Sequence, residues 1–354
     1  MSRKTISIVL LLTVMVAFGG CTAKVKEEIQ ADMVEELPDS DPILITIAAV
    51  GDVMAHMPQV NGAWDPEREV YDFSPSFKEI APYLQAADLT IANLETVLDD
   101  SRPYSGYPRF NSPSALAVAL LDAGVDIVTT ANNHALDQGE SGLLNCLDHL
   151  DEIGIGHTGT FRNEAERQPL HIDVRGIGLA CLAYTTTTNG LPVPKGKDYL
   201  VNIWDPDQAE ADIRLARRQG ADFVIVSIHF GPEYQRYPAQ EQKQIARELV
   251  EIGADLILGC HPHVVQPWEE QIKPNGEQRV LIIYSLGNFL SNQYFPYTDR
   301  GVILKATLIQ DPLTKMVSLD SYRLIPTKVL REQHHTIVVD DQPEFPKWPS
   351  ADEM

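Results

Sequence analysis

The sequence predicts an α/β fold whose sheets are buried on both faces. Three observations support this class. Five segments are nearly continuous runs of β-branched and apolar residues, helical patterns separate them, and 354 residues with 44% hydrophobic content can fill a large core. Strands that alternate with helices form layered folds, in which ligands gather beyond the carboxyl ends of the strands.

The predicted strands share one pattern, because each ends in polar residues that can bind metals. Four of them open with a small residue and an aspartate and cover 86–95, 124–134, 220–230 and 253–263, and a fifth at 43–52 ends in the same way. Helical patterns with Ser, Asp or Pro near their starts precede the four. Later strands at 280–289, 301–310 and 316–330 lack long intervening helices. We expect these to be antiparallel and to form a second sheet packed on the first.

The first residues have the order of a bacterial export signal. Arg3 and Lys4 precede an apolar run at 6–18 that ends in FGGC, and this run is too short for a comfortable membrane span. A cysteine directly after two glycines resembles the lipobox of bacterial lipoproteins, which implies that Cys21 is lipidated and holds the protein at the extracytoplasmic side of a membrane in the cell envelope. An uncleaved anchor and plain secretion stay open as alternatives.

These features divide the chain into four parts. We expect a lipoprotein signal peptide at 1–21, an acidic linker at 22–41, one domain at 42–335 and a C-terminal tail at 336–354. The linker is acidic and weakly apolar, so it is expected to be a solvated tether between lipid and domain.

Charge and cysteine content narrow the class of protein. The formal net charge of −22 argues against binding to nucleic acid or to anionic lipid through basic patches, because both depend on lysine and arginine. Beyond Cys21 the chain has Cys146, Cys181 and Cys260, and this odd number without paired spacing implies no disulfide framework.

Carboxylates, amides and imidazoles collect at the predicted strand ends. They are Asp52, His56, Asn93, Glu95, Asn132, Asn133, His134, Asp137, His229, His261 and His263. Such donors suit zinc, manganese or iron, and no thiolate cage competes with them. A lone histidine after a strand is usually a loop or hydrogen-bonded core residue, but five strand ends with such residues together indicate a metal centre. His261 and His263 are two positions apart, so in an extended segment both would point to one side.

Six motifs in this order resemble the calcineurin-like metallophosphoesterases, and more closely the CapA branch associated with poly-γ-glutamate capsule synthesis. They are GDVM at 51–54, NLE at 93–95, ANNHALD at 131–137, HFG at 229–231, HPHV at 261–264 and SLGNF at 285–289. The resemblance covers 43–309. It implies a four-layer α/β/β/α sandwich of two packed mixed sheets, with the site at the carboxyl ends of the strands.

The resemblance also implies roles for residues that match its motifs. Asp52 would bind the first metal, and Glu95 stands where the bridging acid sits. Asn133 and His229 would bind the second metal. His261 and His263 would complete the two shells, one for each metal.

His134 is similar to the general acid beside the leaving group, with Asp137 as its orienting partner. The family places a histidine where this chain has Met54, so the first metal loses a ligand unless His56 or water replaces it. One bound metal, or a centre that binds without turnover, therefore stays open. Asn93 and Arg109 are candidate substrate contacts, although a solvated turn arginine is the simpler explanation of Arg109.

Three functions are consistent with the sequence. The first is an envelope lipoprotein of poly-γ-glutamate capsule synthesis, with a hydrolytic centre of two divalent ions (manganese, zinc or iron) and membrane proteins of the capsule machinery as partners. The second is a general extracytoplasmic metallophosphoesterase. The third is a non-catalytic partner in a polymer synthesis or transport complex. The expected ligand of the metal centre is an anion, a phosphoester or poly-γ-glutamate, and no nucleic acid is expected.

Overall fold

The computed structural model describes residues 41–346, except 275, 277 and 333. The predicted signal peptide, Cys21, the linker before residue 41 and the last eight residues of the tail lie outside this part of the chain. No helix within the described residues is long and apolar enough to cross a membrane.

The described part alternates strands and helices along most of its length. The strands are β1 (Ile43–Val53), β2 (Trp64–Asp65), β3 (Val70–Tyr71), β4 (Leu89–Leu94), β5 (Ile127–Thr129), β6 (Gly156–Thr158), β7 (Leu170–Val174), β8 (Ile177–Thr185), β9 (Phe223–His229), β10 (Leu256–Cys260), β11 (Trp268–Ile272), β12 (Arg279–Ile283), β13 (Asn288–Leu290), β14 (Arg300–Gln310), β15 (Val317–Leu330) and β16 (Thr336–Val339). The helices are α1 (Met57–Ala63), α2 (Ser74–Phe77), α3 (Ala81–Leu84), α4 (Ala115–Asp122), α5 (Gly139–Ile153), α6 (Pro206–Arg218) and α7 (Gln240–Ile252).

Two mixed sheets form the centre of the domain. The first has the order β16-β15-β14-β1-β4-β5-β6, with β13 also paired to β1. Its β1, β4, β5 and β6 are parallel, and β14, β15 and β16 are antiparallel to their neighbours. The second sheet has the order β11-β12-β10-β9-β8-β7, with parallel central strands and an antiparallel strand at each edge.

The predicted grouping of the later strands was wrong. β14 and β15 are antiparallel, as expected, but they extend the first sheet beside β1 instead of forming a second one. β12 is parallel to β10 in the second sheet. The presence or absence of a helix before a strand cannot predict which sheet the strand joins, because the strands that are linked by helices are themselves divided between the two sheets.

Apolar side chains that point alternately to the two faces of each strand produce the four layers. In β1, Ala48 and Val50 belong to the apolar cluster that includes residues of α4 and α5, whereas Ile45 and Ile47 belong to the cluster between the sheets. Strand β9 alternates in the same way: Phe223 and Ile225 face the first sheet, and the intervening valines pack with residues of α6 and α7. Successive strand side chains point to opposite faces, so each strand contributes to two cores. The predicted α/β/β/α sandwich is confirmed.

The first sheet continues into the segment that was predicted to be a tail. β16 pairs antiparallel with the end of β15, and Ile337 is fully buried. Farther on, the ring of Phe345 packs edge-on against Trp268 at 5.8 Å. The folded domain therefore extends past the predicted end at residue 335, because these apolar side chains complete the core at its edge.

Candidate metal centre

Four parallel strands deliver polar side chains to one region at their carboxyl ends. Asp52 of β1 lies in register with Asn93 of β4, and His229 of β9 lies in register with Cys260 of β10. The side chains of Asp52, Asn93 and His229 are all buried. Because parallel strands end at the same edge of a sheet, residues far apart in sequence meet here.

The backbone beside Asp52 requires a glycine. A Cβ atom on Gly51 would lie 1.9 Å from the carbonyl oxygen of Gly287. The backbone N–H of Asp52 donates to this same oxygen at 3.0 Å. The close approach of the GDVM and SLGNF motifs therefore determines where the Asp52 carboxylate lies.

The two histidines of HPHV converge, although the segment is not extended as we expected. β10 ends at Cys260, and His261 and His263 have φ angles of +96° and +59°. Their ring centroids are 5.9 Å apart, and that of His261 is 4.6 Å from His229. Residues other than glycine rarely adopt this left-handed conformation, and where they do, it often marks a functional site.

Glu95 lies at the middle of the cluster and is fully buried. Neither of its carboxylate oxygens accepts a hydrogen bond from the described residues. Instead, three imidazole Nε2 atoms lie around Oε1, at 3.5 Å for His229, 3.8 Å for His263 and 4.0 Å for His134. A buried polar group without a partner is costly, so a carboxylate in this setting indicates a bound cation.

His263 presents an unprotonated nitrogen to Glu95. Its Nδ1 lies 3.1 Å from both Asp52 Oδ2 and Asn288 Oδ1. The Asn288 amide nitrogen donates to Gln293 and Thr298, which leaves its oxygen facing the imidazole. Because both neighbours of Nδ1 are acceptors, Nδ1 carries the proton and Nε2 has a free lone pair toward Glu95. Such an orienting contact is typical of metal-binding histidines.

Two further ligand atoms face each other beside Glu95. His229 Nε2 and Asn133 Oδ1 are 2.8 Å apart, which requires a proton on Nε2. Asn133 Nδ2 in turn donates to Asn189 Oδ1 at 3.2 Å. Both atoms are metal-ligand types, and His229 would ligate a cation through Nε2 if its proton were on Nδ1 instead.

Burial shifts the pKa values of the cluster in opposite directions. It raises the pKa of Glu95 well above its ordinary range, with a further contribution from the Asp52 carboxylate. It lowers the pKa of His229 well below its ordinary value, helped by neighbouring His261, and lowers that of His261 to about 4. Without a cation, burial therefore favours the neutral forms of Glu95, His229 and His261.

The residues at the strand ends could hold at least one divalent ion. Ligand atoms of Asp52, Glu95 and His229 lie within 4.8 Å of one another, as do those of Glu95, His261 and His263. Glu95 belongs to both groups. Oxygen and nitrogen donors of this kind suit zinc, manganese or iron. The thiol of Cys260 is buried, and burial raises its pKa well above its ordinary value, so it does not supply a thiolate.

His134 and Asp137 form a hydrogen-bonded pair at the edge of the cluster. His134 Nδ1 lies 2.6 Å from Asp137 Oδ2, which also accepts the backbone N–H of Phe110 at 2.6 Å. The Phe110 ring packs edge-on against the imidazole at 4.7 Å. Asn132 accepts the backbone N–H of His134 at 3.1 Å. The proton therefore lies on Nδ1, and the Nε2 atom is directed to the site.

His56 lies near the centre but outside both groups of ligand atoms. Its Nδ1 accepts the backbone N–H of Asn292 at 3.3 Å, and its ring packs edge-on against Phe110 at 5.0 Å. Burial lowers its pKa to about 4. Met54 is also buried. The proposal that His56 replaces the missing histidine stays a prediction, since its described contacts are explained by packing.

A cavity of about 360 Å³ adjoins His134 and Asp137. Arg109 lines it, as predicted for a substrate contact, together with Asn189 and Glu233. Asn93 lies deeper and donates to Asp52 Oδ1 at 2.8 Å, so it holds a candidate ligand and does not line this cavity.

The sequence prediction did not single out Asn189, Glu233 or Asn288. Asn288 was part of the SLGNF motif, and Glu233 follows the HFG motif by two residues. Asn189 belongs to the hydroxyl-rich loop TTTTNG at 185–190, a type of loop that could line a cleft but is also common without function.

Comparison with known proteins identifies relatives for most of this chain. A model of the family described as bacterial capsule synthesis protein PGA_cap matches residues 46–293. The capsule biosynthesis protein CapA of Bacillus anthracis is 26% identical over 273 residues, which cover 74% of this chain and 63% of that protein. The PGA biosynthesis protein CapA of Bacillus subtilis is 26% identical over 272 residues, covering 72% of this chain and 67% of that protein. The match thus spans about two thirds of these relatives.

A solved structure shares the fold at much lower identity. The NAD nucleotidase of Haemophilus influenzae matches with a TM-score of 0.51 and 14% identity, over 89% of this chain and 55% of that one. This likeness is one of fold. It agrees with the predicted α/β/β/α sandwich.

Proposed function

The chain belongs to the PGA_cap family of bacterial capsule synthesis proteins, and from this premise we propose that it is a metal-dependent hydrolase that acts on or near poly-γ-glutamate. We further propose that it works at the extracytoplasmic side of the cell envelope, with a lipid on Cys21 as its anchor and capsule-synthesis membrane proteins as partners. The names of the two Bacillus relatives support the link to capsule synthesis.

One observation supports the metal-dependent activity above all others. Glu95 is fully buried, accepts no hydrogen bond from the described residues, and lies within 4.0 Å of three imidazole nitrogens. A structural carboxylate would have donors around it. Asp52, Glu95, Asn133, His229, His261 and His263 would hold one or two divalent ions.

When bound, such ions would polarise the scissile group and lower the pKa of a water molecule toward neutrality. The protein's own contribution to the reaction is proton transfer by His134. Asp137 holds Nδ1 at 2.6 Å and stabilises the protonated imidazole, so Nε2 can donate a proton to the departing group. Phe110 covers one side of the imidazole and keeps it in this orientation.

Metal analysis and two substrates test this function. The purified full chain is loaded with manganese or zinc, dialysed, and assayed with a γ-glutamyl polymer and with phosphate monoesters and diesters. We expect bound metal, and polymer hydrolysis that is lost in Glu95→Gln and His134→Asn. Hydrolysis of phosphoesters alone would favour a general metallophosphoesterase instead. A chain that retains no metal after loading would leave only the non-catalytic partner.

The envelope location is tested independently of activity. Full-length protein expressed in a bacterium with lipoprotein processing is expected in the membrane fraction, accessible to protease added outside the cytoplasm. Cys21→Ser should release it or leave the precursor unprocessed. Wild-type protein found in the cytoplasm would contradict this part of the proposal.

A further inference from the structure

The cavity beside His134 contains two opposite charges that do not neutralise each other. Arg109 and Glu233 both line it, and both are exposed. Within the described residues, neither forms an ion pair, the Arg109 side chain has no hydrogen-bond partner, and the Glu233 carboxylate accepts a hydrogen bond from the Tyr234 hydroxyl. If both side chains served only to face solvent, a shared cavity would be the natural place for them to pair. Because the two charges do not pair with each other, a ligand that carries both charges could contact each of them.

Arg109 is held in place through its backbone. Its N–H donates to Gly106 O at 3.2 Å, and its carbonyl oxygen accepts from Ser105 Oγ at 2.6 Å. The next residue, Phe110, donates its backbone N–H to Asp137. These hydrogen bonds hold the loop backbone against the His134 and Asp137 pair. The Arg109 side chain therefore extends from a backbone position that is fixed next to the site.

Glu233 enters the cavity from the other sheet. It follows β9 closely, and the adjoining Tyr234 donates its backbone N–H to Pro262 O at 2.8 Å. Tyr234 has a φ angle of +64°, which fixes the turn that carries Glu233. An acidic residue in this position disfavours a ligand group with negative charge alone, such as a phosphate, and favours a nearby ammonium.

We propose that this cavity binds an α-amino acid end group, with its α-carboxylate at Arg109 and its α-ammonium at Glu233. In a γ-linked glutamyl chain, only the amino-terminal residue carries both groups on one carbon, because the nitrogen of every later residue is an amide. The cavity would therefore recognise the end of the chain and bring its first γ-amide bond beside His134. This inference rests on the proposed polymer substrate.

Binding of three dipeptides tests the inference. The probes are γ-glutamylglutamate, its N-acetylated form, and a form whose amino-terminal α-carboxylate is a carboxamide. Calorimetry on the full chain in EDTA, where turnover does not intervene, should show that each blocked form binds about tenfold more weakly than the free dipeptide, as expected for losing one charge-assisted contact.

Two variants assign the two charges. Glu233→Gln should abolish the preference for the free amine over the acetylated form but keep the preference for carboxylate over carboxamide, and Arg109→Gln should do the reverse. Arg175→Gln and Glu152→Gln, whose side chains are 63% and 73% exposed, serve as matched controls and should keep both preferences.

Several results would overturn the inference. They are equal binding of free and acetylated dipeptide, no binding of the free dipeptide at millimolar concentration, or retained preferences in both variants. Inorganic phosphate that binds at Arg109, and binds more tightly to Glu233→Gln, would point to a phosphoester instead. Polymer hydrolysis without any end-group preference would refute only this inference. End-group preference without hydrolysis would refute only the proposed activity.

Discussion

Replacing Glu95 with glutamine tests whether Glu95 is a metal ligand or a structural carboxylate. In the wild type, metal at about 100 times its dissociation constant should stabilise the fold by about 2.7 kcal/mol. With an unfolding entropy of roughly 2 cal/mol/K per residue over roughly 300 residues, this corresponds to a rise in melting temperature of about 4 °C. Glu95→Gln should lose this rise, since an amide is a poor substitute for a carboxylate shared by two groups of ligand atoms.

In EDTA the same substitution should be neutral or stabilising. Neither Glu95 oxygen has a donor among the described residues, whereas the amide introduced by Glu95→Gln could donate to the free Nε2 of His263. Removing an unsatisfied buried group contributes about 1–3 kcal/mol. The pKa of Glu95 is raised in the folded protein, so the wild type loses stability as pH rises from the unfolded pKa near 4.5 through the folded value. The advantage of Glu95→Gln should therefore grow with pH.

Asp212→Asn is the matched control. Asp212 is also a buried carboxylate, but its oxygens accept from Tyr184 Oη at 2.8 Å and Gln208 Nε2 at 2.7 Å. This variant should be destabilised by about 1–3 kcal/mol with or without metal and keep the full metal-induced rise. Differential scanning calorimetry of both variants and the wild type, in EDTA and in manganese at pH 6 and pH 8.5, measures the stability and the metal-induced rise in melting temperature. A Glu95→Gln protein that keeps the metal-induced rise would refute the reasoning.

Three further outcomes follow from the same geometry. His134→Asn should lower kcat by about 10²–10⁴ while the metal-induced rise in melting temperature persists; loss of both would make His134 structural. Metal binding should strengthen with rising pH and release a proton from Glu95. Calorimetry in two buffers of different ionisation enthalpy measures this proton release, which should be absent in Glu95→Gln. Gly51→Ala should destabilise the fold by about 2–4 kcal/mol in urea unfolding, because its Cβ would lie 1.9 Å from Gly287 O, whereas Gly62→Ala, with nothing within 4 Å, should not be destabilising.

The sequence by itself determined the layered class and the chemistry available at the strand ends. Apolar runs between helical patterns predicted the strands, since a strand buried on both faces has to be apolar throughout. The polar residues that follow them predicted the region of the site. Cys21 lies outside the described residues, so its lipidation and the membrane anchor stay predictions.

The tertiary structure decided which strands are neighbours and how the ligand atoms meet. Strand β14 pairs with β1, and Asp52 contacts His263 across 211 positions of sequence. The left-handed backbone of His261, the absence of donors around Glu95 within the described residues, and the cavity shared by Arg109 and Glu233 were not visible in any local pattern. Local periodicity reports which face of an element is buried, but these contacts depend on the pairing and packing of segments that are far apart in the chain.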